Sequence, residues 1–183
     1  SLSNCNAIQG PFPNVATTTA SALSSAIIAA ACVGHALKAG TIDRILLWKT
    51  TAGTTGTLTG RLESIGSTGS PSGTLLGSAS GTMTPGAGTS VLQILTLGTP
   101  YTIAKGDLFS ALIYFSTFAA STSYSRCITA SFESANHTFT VPGNRTNTNF
   151  TAGSGANWAA GSANAIGMIC PVFDDGTCAM AGT

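Results

Sequence analysis

From residue 41 onward, short runs of β-branched, leucine and aromatic residues alternate with clusters of glycine, proline, serine and asparagine. That spacing predicts an all-β sandwich or barrel, and no helical period recurs. Residues 41–50 read as a strand with Ile45 and Leu47 on one face and Leu46 and Trp48 on the other, so burial is expected on both sides. Residues 56–64 alternate cleanly, placing Leu58, Gly60 and Leu62 inward and Thr57, Thr59, Arg61 and Glu63 outward. The stretch 67–73 has the chemistry of a turn, and residues 74–80 leave it as a short strand. The strongest strands are 90–97 and 107–118. In the latter Leu108, Leu112 and Tyr114 share one face and Phe109, Ile113 and Phe115 the other, as in a central strand. Further strands are expected at 126–133, 137–141 and 165–173, with 177–180 pairing back across Asp174-Asp175-Gly176.

Two stretches are ambiguous. Residues 16–39 are rich in alanine, the best helix former, and 20–37 would suit a helix. Against this, Ile27, Ile28 and Val33 are β-branched and Gly34 interrupts the run, so a strand over about 27–38 is expected, preceded by an arm or lead-in segment at 1–26. Residues 142–161 are dominated by Asn, Thr, Gly and Ser and read as a long surface loop.

The length of 183 residues suits a single sandwich, taken as 27–183. Only 7% of residues are charged, so the exterior must be wetted by hydroxyls, with little like-charge repulsion between copies; this points to multimerisation. The net charge of +1 comes without a basic stripe, which argues against nucleic acid as a partner. The longest apolar stretch, 26–33, is too short for a membrane-spanning helix. The chain opens on Ser1 with no signal-like segment near it, and the true start is expected to have been removed.

The chemical inventory is thin. His35 and His137 are the only imidazoles, neither stands in a nucleophile motif, and no GxSxG occurs. Asp43, Glu63, Asp107 and Glu133 are isolated, and Asp174 with Asp175 suits turn chemistry without a loop of oxygen ligands for calcium. No cofactor, metal site or catalytic residue is therefore expected. The five cysteines lack CxxC spacing. Cys170 and Cys178 flank the Asp-Asp-Gly turn: a three-residue turn puts Cys178 opposite Val172 and diagonal to Cys170 on one face, whereas a two-residue turn separates them, so a disulfide there stays open. Asn136, Asn144 and Asn149 match the glycosylation pattern, as chance allows in an Asn- and Thr-rich segment. Phe150 and Trp158, interleaved with Asn149 and Asn157, have the composition of a carbohydrate-recognising loop; the alternative is that both rings pin the loop to the core.

Taken together, residues 35–45 (HALKAGTIDRI), 56–63 (GTLTGRLE), 70–77 (SPSGTLLG), 99–108 (TPYTIAKGDL) and 173–177 (FDDGT) resemble jelly-roll or sandwich modules in structural proteins of tailed phages and uncultured viruses. The resemblance spans roughly 27–182 and rests on turns and strands of a scaffold, so it carries no catalytic residues over. It implies a jelly-roll-like antiparallel β-sandwich on a virion surface, as fibre, spike or decoration, with copies of itself and other virion proteins as partners and, in some members, host glycans as receptors. A carbohydrate-binding or adhesin module of a secreted cellular protein is the alternative, and a hydrolase using Glu63 or Glu133 trails both.

Overall fold

The computed structural model describes residues 16–24, 27–117, 122–131, 143–161, 165–167 and 169–181, and among these there is no helix. In chain order the strands are β1 (Ala16–Ala22), β2 (Ala29–Ala36), β3 (Gly40–Lys49), β4 (Thr57–Ile65), β5 (Pro71–Met83), β6 (Val91–Ile103), β7 (Leu108–Thr117), β8 (Tyr124–Ser131), β9 (Gly143–Asn147), β10 (Trp158–Ala160), β11 (Ala165–Gly167), β12 (Cys170–Phe173) and β13 (Met180–Ala181). Over β2 the alanine-rich stretch is extended, because Val33 and Gly34 outweigh alanine's helix propensity once both edges of the strand are paired. Part of the lead-in segment also enters a sheet, as β1 pairs antiparallel with β8.

The strands form two antiparallel sheets, an all-β antiparallel sandwich. In the first, β3 pairs along one edge with β6 and along the other with β12 and then β8, which also carries β1 and β11. The second has the order β10-β9-β2-β7-β4-β5, with β13 beside the end of β2. β7 is central in it, as its two-faced apolar pattern predicts.

The core lies between the sheets. Ile42, Ile45, Leu47, Leu95 and Leu97 of the first sheet meet Leu58, Leu62, Phe109, Ile113 and Phe115 of the second. Gly60 lets the sheets pack closely, since a Cβ there would come 2.8 Å from Cδ2 of Leu95 and 3.1 Å from Cδ1 of Ile45 and push those methyl groups aside. On one side the sandwich closes: a Cβ on Gly81 of β5 would overlap the Thr96 carbonyl oxygen and lie 3.1 Å from Cα of Leu97 in β6.

Several strands depart from expectation. β5 runs well beyond residues 74–80, because a bulge between Leu75 (opposite Glu63) and Ser80 (opposite Arg61) absorbs its extra length. In that bulge Gly77 and Ser78 both take positive φ, 53° and 66°, and the Tyr101 ring fills the space a side chain on Gly77 would need. β6 likewise continues through Gly98-Thr99-Pro100, where its pairing with β3 skips from Thr96 to Tyr101 and Pro100 breaks no ladder bond. The expected strand at 137–141 lies outside the described residues, as do His137 and Glu133. Residues 142–161 are not one loop. β9 and β10 are a hairpin at the edge of the second sheet, joined by a loop over 148–157. The strand GNRTN has low intrinsic β propensity and is held in place by pairing with Ala29–Val33, a tertiary effect that no local pattern carries.

Candidate functional site

The sequence-predicted residues Asn149, Phe150, Asn157 and Trp158 come together on the β9–β10 hairpin. Asn147, fully buried at the end of β9, closes the loop: its Oδ1 accepts from the Asn149 amide at 2.9 Å and its Nδ2 donates to the Ala156 carbonyl at 2.9 Å. Asn157 takes a positive φ of 66° and its Nδ2 donates to the Asn149 carbonyl at 3.1 Å. Phe150 packs on Tyr114 of β7, with centroids 4.6 Å apart, and meets Trp158 edge-on at 5.7 Å. The two rings thus pin the loop to the outward face of the second sheet, while Asn149 and Asn157 face solvent. The Trp158 Nε1 is buried and finds no hydrogen-bond partner among the described residues.

The loop reaches across to the β4–β5 turn, taken to include residues 71–73 at the start of β5. A Cβ on Gly73 would lie 2.6 Å from the Gly153 carbonyl, and one on Gly155 2.7 Å from the Ser72 carbonyl oxygen, so both contacts are backbone against backbone. Beneath this cover lies the main correction to the sequence reading. Glu63 does point away from the core, yet its exposure is 0%. Its Oε1 accepts from Nε of Arg61 at 2.7 Å and its Oε2 from the Gly73 amide at 2.8 Å, while Ser110 Oγ donates to its carbonyl at 3.2 Å. Arg145 of β9 reaches the same turn, donating from Nε to Ser70 Oγ at 3.3 Å. These charges hold a turn and a loop on the sheet; Glu63 has no approach by which to serve as a hydrolytic acid. Alternation alone put Glu63 outside, because nothing in a single sequence says that residues 148–157 fold back over it.

Several other ionic groups are also engaged. Lys49 is fully buried and its ammonium is held by the carbonyls of Gly86 and, at 3.2 Å, Gly88. Arg44 pairs with its neighbour Asp43 at 2.9 Å and caps the Asp174 carbonyl at 3.1 Å. Asp175 bonds Lys38 and Thr177, and these donors, Lys38 foremost, hold its carboxyl well below the usual range. Among the described residues no group of three or more His, Cys, Asp and Glu could hold a metal ion, and no helix is long and apolar enough to cross a membrane.

At the Asp-Asp-Gly turn the three-residue alternative is realised: the Phe173 amide bonds the Thr177 carbonyl at 2.9 Å and Val172 faces Cys178. Cys170 and Cys178 share a face as thiols, with Sγ atoms 3.8 Å apart. Beside them the outward face of the first sheet is apolar. Leu46 and Trp48 of β3 are only half-buried, contrary to the expected burial on both sides, and their β6 partners Ile94 and Leu92 are 52% and 44% exposed. No element of the described chain is laid across these residues as the hairpin loop is laid across the second sheet. No protein family, curated protein or solved structure matches this chain.

Proposed function

We propose that this chain is a non-enzymatic structural protein of a virion surface, a jelly-roll-like fibre, spike or capsid-decoration subunit that works by packing against copies of itself and neighbouring virion proteins. The virion assignment rests on the resemblance of its strand and turn segments to such modules. The assembly role rests on one observation, the apolar stripe of Leu92, Ile94, Leu46 and Trp48 on the outward face of the first sheet. A second copy is the favoured occupant because the one ionic pair on this part of β3, Arg44 with Asp43, is neutralised within the chain, so two such faces meet without net repulsion. Analytical ultracentrifugation with electron microscopy tests this: symmetric oligomers are expected, dispersed by Ile94→Asp with the fold retained by circular dichroism. A chain that stays monomeric at high concentration would remove the basis for the reading.

A second reading, a carbohydrate-binding or adhesin module of a secreted protein, is favoured by two exposed asparagines, Asn149 and Asn157, which the loop ties together through the bond from Asn157 Nδ2 to the Asn149 backbone carbonyl. With Phe150 occupied by Tyr114 and Trp158, such binding would rely on amides and the outer side of Trp158. A glycan array showing tight binding by the isolated monomer, lost in Trp158→Ala, would favour it over the first.

A further inference from the structure

We infer that Cys170 and Cys178 are a paired redox site, two thiols that close to a disulfide when the chain meets an oxidising thiol-disulfide environment. Three residues between Phe173 and Thr177 put Cys178 opposite Val172, so that the two cysteines project from one face of the same hairpin. Their Sγ atoms are already 3.8 Å apart, in van der Waals contact, and side-chain rotation with a small closure of the hairpin brings them to the bond length of about 2.0 Å. They belong to a small apolar cluster with Val172 and Leu46, separate from the main core, so closing the bond does not require the sandwich interior to repack. Cys32, by contrast, lies within that core.

Burial sets the order of the chemistry. Cys170 is fully buried and Cys178 only partly so. The Cys178 thiolate therefore attacks the external disulfide first; with glutathione disulfide it forms a mixed disulfide and releases one glutathione thiolate. The Cys170 thiolate then attacks the Cys178 sulfur and expels the second glutathione. Two protein thiols are oxidised, one external disulfide is reduced to two thiols, and the two thiol protons pass to them. The product ties β12, in the first sheet, to the segment that leads within two residues to β13, in the second. It would staple the point where the chain crosses between layers, and it would form on leaving a reducing compartment.

The experiment uses the full-length wild-type chain, folded and reduced, incubated with glutathione disulfide, quenched with acid, alkylated after unfolding and digested for mass spectrometry. The expected product is a peptide pair joined through Cys170 and Cys178, two hydrogens lighter than the reduced pair and separated again by dithiothreitol. Recovery of both cysteines alkylated, of Cys178 as a lasting glutathione adduct beside alkylated Cys170, or of either joined to Cys5, Cys32 or Cys127 would overturn the inference.

Discussion

Arg61 and Glu63 stand two residues apart on β4, side by side on its outward face, with the guanidinium Nε 2.7 Å from the carboxylate. Neither is in open water, because the β4–β5 turn and the 148–157 loop lie over them. The second carboxylate oxygen holds the Gly73 amide, so one buried side chain joins a strand, a turn and, through the turn's backbone contacts, the hairpin loop.

Removing that carboxylate leaves a nearly buried guanidinium without its counter-charge and an amide without its acceptor. Glu63→Ala is expected to cost about 3 kcal/mol of stability, as for breaking a buried ion pair from one side. Glu63→Gln should cost less, since an amide oxygen still accepts from Gly73. Chemical denaturation of the two variants checks the order; equal losses would mean the hydrogen bond to Gly73 contributes nothing.

The closed edge of the sandwich depends on a glycine. A methyl group at position 81 would meet the Thr96 carbonyl oxygen, and backbone on both sides leaves nothing flexible to give way. Gly81→Ala should therefore destabilise by about 2 to 3 kcal/mol through forced separation of β5 from β6. Gly153→Ala makes a useful contrast, because nothing lies within 4 Å of its Cβ position and its cost comes only from a φ of +86°. It is expected to lose about 1 kcal/mol. Thermal midpoints that fall equally in the two variants would contradict a packing origin for the first.

The β5 bulge contains an L-residue where glycine is preferred. Ser78 has a φ of 66° beside Gly77 at 53°. Ser78→Gly relieves that conformation but adds freedom to the unfolded chain, and the balance is expected to favour the variant by about 0.5 kcal/mol. A higher denaturant midpoint at unchanged slope is the measurement, and a lower midpoint would show that the serine conformation carries no strain.

What could be read from the chain and what could not divide along a physical line. Period-two alternation placed Leu58, Gly60 and Leu62 inward and both faces of β7 correctly, because each depends only on neighbours in sequence and the two-sided geometry of a strand. The turn at Asp174-Asp175-Gly176 could be narrowed to two geometries, and tertiary pairing chose between them. The residues that escaped prediction depend on contacts distant in sequence. β9 is a strand because Ala29–Val33 pairs with it, Glu63 is buried because Gly153 and Gly155 reach the turn beside it, and Arg145 matters because β9 brings it within 3.3 Å of Ser70. The aromatic loop was found from composition, but composition could not say that its rings turn toward Tyr114.

Tyr124 supplies a prediction on pH. Its ring is fully buried against Phe115, its hydroxyl donates to Gln93 Oε1, and burial pushes the phenol up to about 12 from an ordinary value of 10.0. The phenolate is disfavoured in the folded chain but forms readily in the unfolded one. The unfolded state therefore loses its proton first as pH rises, and stability falls wherever the folded state binds more protons. The contribution is complete below pH 10 and is lost between pH 10 and about pH 12. Tyr124→Phe removes the titrating hydroxyl together with its bond to Gln93, so the variant should start less stable and then decline less steeply through that window. Comparing denaturant midpoints of wild type and variant across the same pH range isolates this group from the other tyrosines and the lysines. Parallel slopes would show that the Tyr124 hydroxyl ionises in the folded protein as easily as in water.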